Sequence, residues 1–80
     1  MAFEDRVMSV EPRSLEVRRE KAARLLQIRT ELRLSQRAVS TAAGISQALY
    51  NELERAKHDL LPRHIEALSR ALGDGVNGLK

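Results

Sequence analysis

His58, Asp59 and His64 form the one grouping in this sequence that acid–base or metal chemistry could use. Their spacing matches no ligand motif, and His64 stands beside Ile65 on a segment that needs a polar face in any case. Cysteine is absent, which removes thiolate sites and disulfides, and neither a Gly-rich phosphate loop nor a nucleophile elbow occurs. An enzyme is therefore not expected, and neither a metal nor a cofactor is called for. A different set of polar groups lies in QALYNELE, residues 47–54. At helical spacing Leu49, Tyr50 and Leu53 fall on one side, and Gln47, Ala48, Asn51 and Glu52 on the other.

Short helices must position these groups. The 80 residues suffice for one domain, and a domain of that size buries only about two thirds of the surface its unfolded chain exposes. Apolar residues make up 42% of the chain, yet Phe3 and Tyr50 are its only aromatics. Leu, Ile, Val and Ala remain, a set suited to packed helices, so the fold class is all-α: a compact bundle of four or five short helices.

Ser14 is a plausible N-cap for a helix over Leu15–Arg33, where Ala22, Leu25, Ile28 and Leu32 share one side. Ser35 can cap a second helix over residues 36–43, with Ala38, Val39 and Ala42 as its small packing surface. Gly44 supplies a left-handed C′ position, Ile45 turns inward, and Ser46 caps a third helix over residues 46–54. Pro62 suits the first turn of a last helix carrying Ile65, Leu68 and Leu72, and Gly73 ends it. The domain thus covers residues 15–73. Residues 1–14 are an arm, disordered or interacting, that holds Phe3, Val7, Met8 and Val10; residues 74–80, DGVNGLK, are a tail too glycine-rich to pack firmly.

Charge adds two constraints. Residues 18–45 hold seven basic side chains against two acidic ones, within a chain of net charge +3; clustered Lys and Arg are compatible with a polyanion, although charged runs on helices are usually just solvated faces. The second constraint is Arg29, which falls between Leu25 and Leu26 on the helical wheel, inside the arc that faces the core. It needs a carboxylate partner or a route to water. No run approaches the roughly 18 apolar residues of a membrane span, and MAFEDRV lacks the basic start of a secretory signal. A soluble, cytoplasmic, nucleoid-associated protein is expected.

Residues 25–73 resemble the helix-turn-helix domain of Cro-like and Xre-like phage and bacterial repressors, the lambda-repressor-like fold. Ser35 and Gln36 open the first helix of LSQRAVSTAAGIS, Val39 and Ser40 form a large-then-small pair, and Ala43 to Ser46 make the turn. LYNELER resembles the end of the recognition helix, and LSRALG the closing helix. Arg33 and Ala56 stand where the family often has glycine, which leaves the shape of both loops open.

The resemblance implies double-stranded DNA as partner. Its geometry puts the start of the third helix in the major groove, where Gln47, Ala48, Asn51 and Glu52 would read base edges: amides suit adenine, a carboxylate suits cytosine N4, and Ala can touch a thymine methyl. Gln36, Arg37, Ser46, Arg55 and Lys57 would meet phosphates. Glu54 becomes the family's acid for Arg29, a structural ion pair. A homodimer on a palindromic operator is implied, with Leu61, Leu72, Val76 and Leu79 the first residues to inspect for its interface. The rival is a protein-binding module of the same fold, an antitoxin or anti-activator, since Glu52 and Glu54 leave the third helix negative.

Overall fold

The computed structural model describes residues 12–79, so the arm with Phe3, Val7, Met8 and Val10 lies outside the described residues. Helix α1 spans Pro12–Glu31, α2 Gln36–Ala43, α3 Gln47–Glu54 and α4 Pro62–Leu72. A 3-10 helix, Asp74–Leu79, closes the chain. Among the described residues there is no strand, and no helix is long and apolar enough to cross a membrane.

Helix α1 begins before the expected Ser14 cap. Residues 12 and 13 are already helical, so Ser14 lies inside the helix instead of capping it. On the core face Ala22 and Leu25 are buried and Ile28 is half-buried. Leu32, expected on the same face, is exposed at the very end of the helix: its N–H still reaches the Ile28 carbonyl, and the chain turns away at Arg33.

Helices α1, α2 and α3 end in the same way. After α1 the Arg33 N–H reaches back to the Thr30 carbonyl and the Leu34 N–H to that of Arg29; after α2 Gly44 bonds Thr41 and Ile45 bonds Ser40; after α3 Ala56 bonds Leu53 and Lys57 bonds Glu52. Each is a Schellman turn, whose C′ residue must be left-handed. Gly44 takes φ 74° freely, whereas Arg33 at 58° and Ala56 at 60° do so with a side chain attached. The loops whose shape was open thus keep the glycine geometry without the glycine. A Cβ there costs about 1–2 kcal/mol.

Around Leu25, Val39, Tyr50, Leu53, Ile65 and Leu68 the helices share one core, with Leu34, Ile45, Leu49 and Leu60 at its edge. Residues 74–79 of the tail pack firmly after all. In a 3-10 helix residues i and i+3 eclipse, so Val76 and Leu79 both turn inward and are buried, packed against α1 and α4. Gly73, at φ 80° and ψ −169°, takes the backbone into this segment through a region that essentially only glycine visits. Leu72 is buried as well, so of the residues nominated for a dimer contact only Leu61 remains exposed.

Replacing Ala56 by glycine should relieve the left-handed strain after α3 and raise stability by about 1 kcal/mol, after allowing for glycine's freer unfolded chain. Urea melts of parent and Ala56→Gly measure this; an unchanged or lower midpoint would mean that the turn carries no such strain.

Candidate nucleic-acid interface

Two serine caps set the relation of α2 to α3. The Ser35 hydroxyl accepts from the Ala38 N–H at 3.0 Å, and the Ser46 hydroxyl accepts from the Leu49 N–H at 3.0 Å. Each satisfies a donor that the first turn leaves open. Between the caps the turn at Gly44 is fixed by its paired backbone bonds, and Val39 and Ser40 are buried beneath it. The Ser40 hydroxyl is satisfied locally, donating to the Arg37 carbonyl at 3.0 Å.

Tyr50 and Leu53 hold α3 in the core, which leaves Gln47 and Ala48 exposed at its first turn. Asn51 and Glu52 are half-buried and engaged. Asn51 Nδ2 donates to Gln36 Oε1 at 3.2 Å, while Glu52 Oε1 lies 3.0 Å from His58 Nε2. Gln36 is engaged too, donating through Nε2 to Glu54 Oε1 at 2.9 Å. Arg37 and Ser46 are exposed at the starts of α2 and α3, and Arg55 and Lys57 are exposed on either side of Ala56. The groups expected to meet DNA therefore fall into an open set, Gln47, Ala48, Arg37, Arg55 and Lys57, a set tied to other side chains, Gln36, Asn51 and Glu52, and Ser46, exposed with its hydroxyl capping α3. Nothing in helical spacing announces the ties among Gln36, Asn51 and Glu54. The one available signal is that a carboxylate has room for more donors than a single arginine fork supplies.

Arg29 and Glu54 meet as a fork. Arg29 Nε donates to Glu54 Oε2 at 2.6 Å and Nη2 to Oε1 at 3.1 Å, while Nη1 donates to the Leu34 carbonyl at 2.8 Å. The Glu54 side chain is 4% exposed and that of Arg29 15%. Burial alone would raise the Glu54 carboxyl; the hydrogen bonds from Arg29 and its other neighbours, with the arginine charge, outweigh it and hold Glu54 below the ordinary carboxylate range. Hydrogen bonding to Glu54 in turn raises Arg29 against the opposing effect of burial. Tyr50 carries its hydroxyl into the same region, where burial first and the Glu54 carboxylate next push its ionisation up. That hydroxyl has no well-formed hydrogen bond among the described residues.

Two further polar ties brace the frame. Arg18 Nε donates to Asp59 Oδ1 at 2.9 Å, joining α1 to the loop before α4. At the start of α4, His64 Nδ1 accepts from the Leu61 N–H at 3.1 Å, the reach-back half of a capping box. Of His58, Asp59 and His64, then, His64 caps a helix and Asp59 pairs with Arg18. Among the described residues no cluster of His, Cys, Asp or Glu could hold a metal ion.

Removing the Arg29 charge by Arg29→Met strands Glu54 in the core, and breaking a buried pair in this way typically costs about 3–5 kcal/mol. Thermal and urea melts should show it; a variant as stable as the parent would mean that the carboxylate finds water instead.

Acid should weaken the fold in two stages. Burial, then the Arg63 charge, lowers His64 below its ordinary value of 6.5 against the pull of the Asp59 carbonyl, and only the unprotonated Nδ1 can cap α4. Its contribution is whole above 6.5 and is lost as pH falls through the depressed folded value. Glu54 contributes above its ordinary 4.5 and loses that contribution at still lower pH, through its own depressed value. His64→Gln keeps an N3 acceptor without the titration, so urea midpoints taken from pH 7.5 to 3 should lose the first stage in this variant and keep the second. An identical first stage in both proteins would assign it to another group.

A helix-turn-helix family model matches residues 25–73, more than half of the chain. No curated protein and no solved structure matches the chain. The matched span starts at Leu25 in the core face of α1 and runs through both capped helices and the Arg29–Glu54 fork to Gly73. The chain belongs to the Cro- and Xre-like helix-turn-helix family of DNA-binding regulators.

Proposed function

We propose that this protein is a sequence-specific transcriptional regulator, a small repressor or autoregulator that binds a palindromic operator as a dimer with α3 in the major groove. The observation that carries the reading is the first turn of α3, where Gln47 and Ala48 stand exposed on a helix whose start, angle and end are each held. Gln47 can pair with adenine N6 and N7, and Ala48 can touch a thymine methyl. Arg37 in the first turn of α2, and Arg55 and Lys57 just past α3, would contact phosphates, which set register, as would the Ser46 cap region at the helix N-terminus. Asn51 reads from its tie to Gln36, and Glu52, held by His58, works at the margin. So small a reading head has few base contacts, and a two-fold dimer on half-sites about 34–36 Å apart would multiply them. The reading puts the protein on the chromosome, in the cytoplasm.

The second reading is an antitoxin or anti-activator that holds a protein partner. Residues 46–80 favour it, since they carry as many acidic as basic side chains, and Leu61 is exposed in the loop that follows α3. Titrating the DNA upstream of the protein's own gene at several salt concentrations separates the two. Steeply salt-dependent shifts support the regulator, and no shift at low salt supports the protein-binding module.

Within the first reading, Gln47→Ala should relax preference at one base pair, while Lys57→Ala should weaken all sequences alike and reduce the salt slope by about one. Competition binding with operator and random DNA checks both, and equal losses on the two DNAs for Gln47→Ala would remove Gln47 from base reading.

A further inference from the structure

Asn51 does not choose its own orientation. A terminal amide has an accepting end and a donating end of nearly the same shape, and in isolation it can offer either outward. Here Asn51 Nδ2 donates to Gln36 Oε1, and Gln36 Nε2 donates to Glu54 Oε1. The direction of this chain is set at its far end. An ionised carboxylate only accepts, and Glu54 is kept ionised by the guanidinium of Arg29. Gln36 must therefore turn its nitrogen toward Glu54. Its oxygen is left facing Asn51, which must in turn present nitrogen inward. Asn51 Oδ1 then accepts nothing among the described residues, on a side chain that is half-buried and so still reaches the surface.

We propose that Gln36 is a positioning residue that, through the chain Glu54–Gln36–Asn51, sets which end of the Asn51 amide faces DNA and thereby which bases that position accepts. With Oδ1 outward the site favours bases that present a donor in the major groove, adenine through N6 or cytosine through N4. Guanine and thymine, which show only acceptors there, are disfavoured. This rests on the DNA-reading function proposed above and gives Gln36 a second task. Its backbone N–H, at the start of α2, stays available to a phosphate, whereas its side-chain amide is spent between α2 and α3.

The experiment first finds the base pair at which Asn51→Ala loses preference, using a library randomised around the upstream operator. Parent and Gln36→Met are then titrated against the four operators that differ at that pair. The parent should prefer adenine or cytosine about tenfold over guanine or thymine. Gln36→Met, which keeps the length of the side chain and removes both hydrogen bonds, should shrink that preference to within about threefold while the preference read by Gln47 persists. In an Asn51→Ala background the same substitution should leave the four operators as Asn51→Ala alone leaves them. A merely structural or phosphate-binding Gln36 would weaken all four operators by one factor, which overturns the proposal. A parent that prefers guanine or thymine at the Asn51 pair, or does not discriminate there, overturns it as well and leaves DNA reading by Gln47 intact; this measurement needs no folded Gln36 variant. If the parent binds no DNA, the proposed function fails and the inference fails with it.

Discussion

The fork between Arg29 and Glu54 is the interaction on which the other features of the interface depend. Arg29 is the C3 residue of the turn that ends α1, its carbonyl accepting from the Leu34 N–H, and its guanidinium comes back to the Leu34 carbonyl. The same side chain holds the last residue of α3. One residue therefore fixes the end of α1, the path into α2 and the tilt of α3. An apolar pair of equal volume could make the core as stable, because desolvating two charges offsets much of their attraction. It would not impose a direction. The planar fork does, and its spare acceptor capacity orients Gln36.

The same fork explains why left-handed strain is tolerated at Arg33 and Ala56. Both residues lie at junctions that other contacts over-determine. The Arg33 turn is clamped by Arg29 and by burial of Leu34 at the core edge, and the Ala56 turn follows directly on Glu54. A strained conformation persists where its surroundings leave the backbone no cheaper path. The turn at Gly44 has core contacts of its own, through buried Ser40 and Ala43 and half-buried Ile45, and its left-handed position is taken by glycine without strain.

Much of this was legible in the residues because it is local. Ser35, Gly44, Ser46 and Pro62 each act within a turn or two of their own position, and cap and turn chemistry finds them. Arg29 was legible for another reason: a charge inside an apolar arc has to be answered, so the need for an acid showed even before the acid was known. What escaped were ties that no periodicity carries. Gln36 and Asn51 are ordinary surface amides by pattern, and only the tertiary placement of Glu54 joins them. The helical state of residues 12 and 13 escaped because a serine just ahead of an apolar-periodic run, here Ser14, reads as a cap. The tail escaped because two apolar residues spaced by three among glycines give almost no signal, while a 3-10 turn brings both to one side.

That tail bears on how the domain is bounded. The family match stops at Gly73, yet the core continues into Val76 and Leu79. Burying one such side chain contributes about 1.5–3 kcal/mol, against a total stability that for small domains is about 5–15 kcal/mol. Among the described residues Tyr50 is the one aromatic ring in the core, and the last turn is part of the folding unit rather than an appendage. It also removes Leu72, Val76 and Leu79 from the surface that a second copy could use. A dimer that brings two α3 helices onto one face of DNA must therefore be built on other residues, and among the described ones the large apolar side chains still exposed are Val17, Leu26, Leu32 and Leu61. Three of these belong to α1 or the turn after it, the element that Arg29 locks to α3.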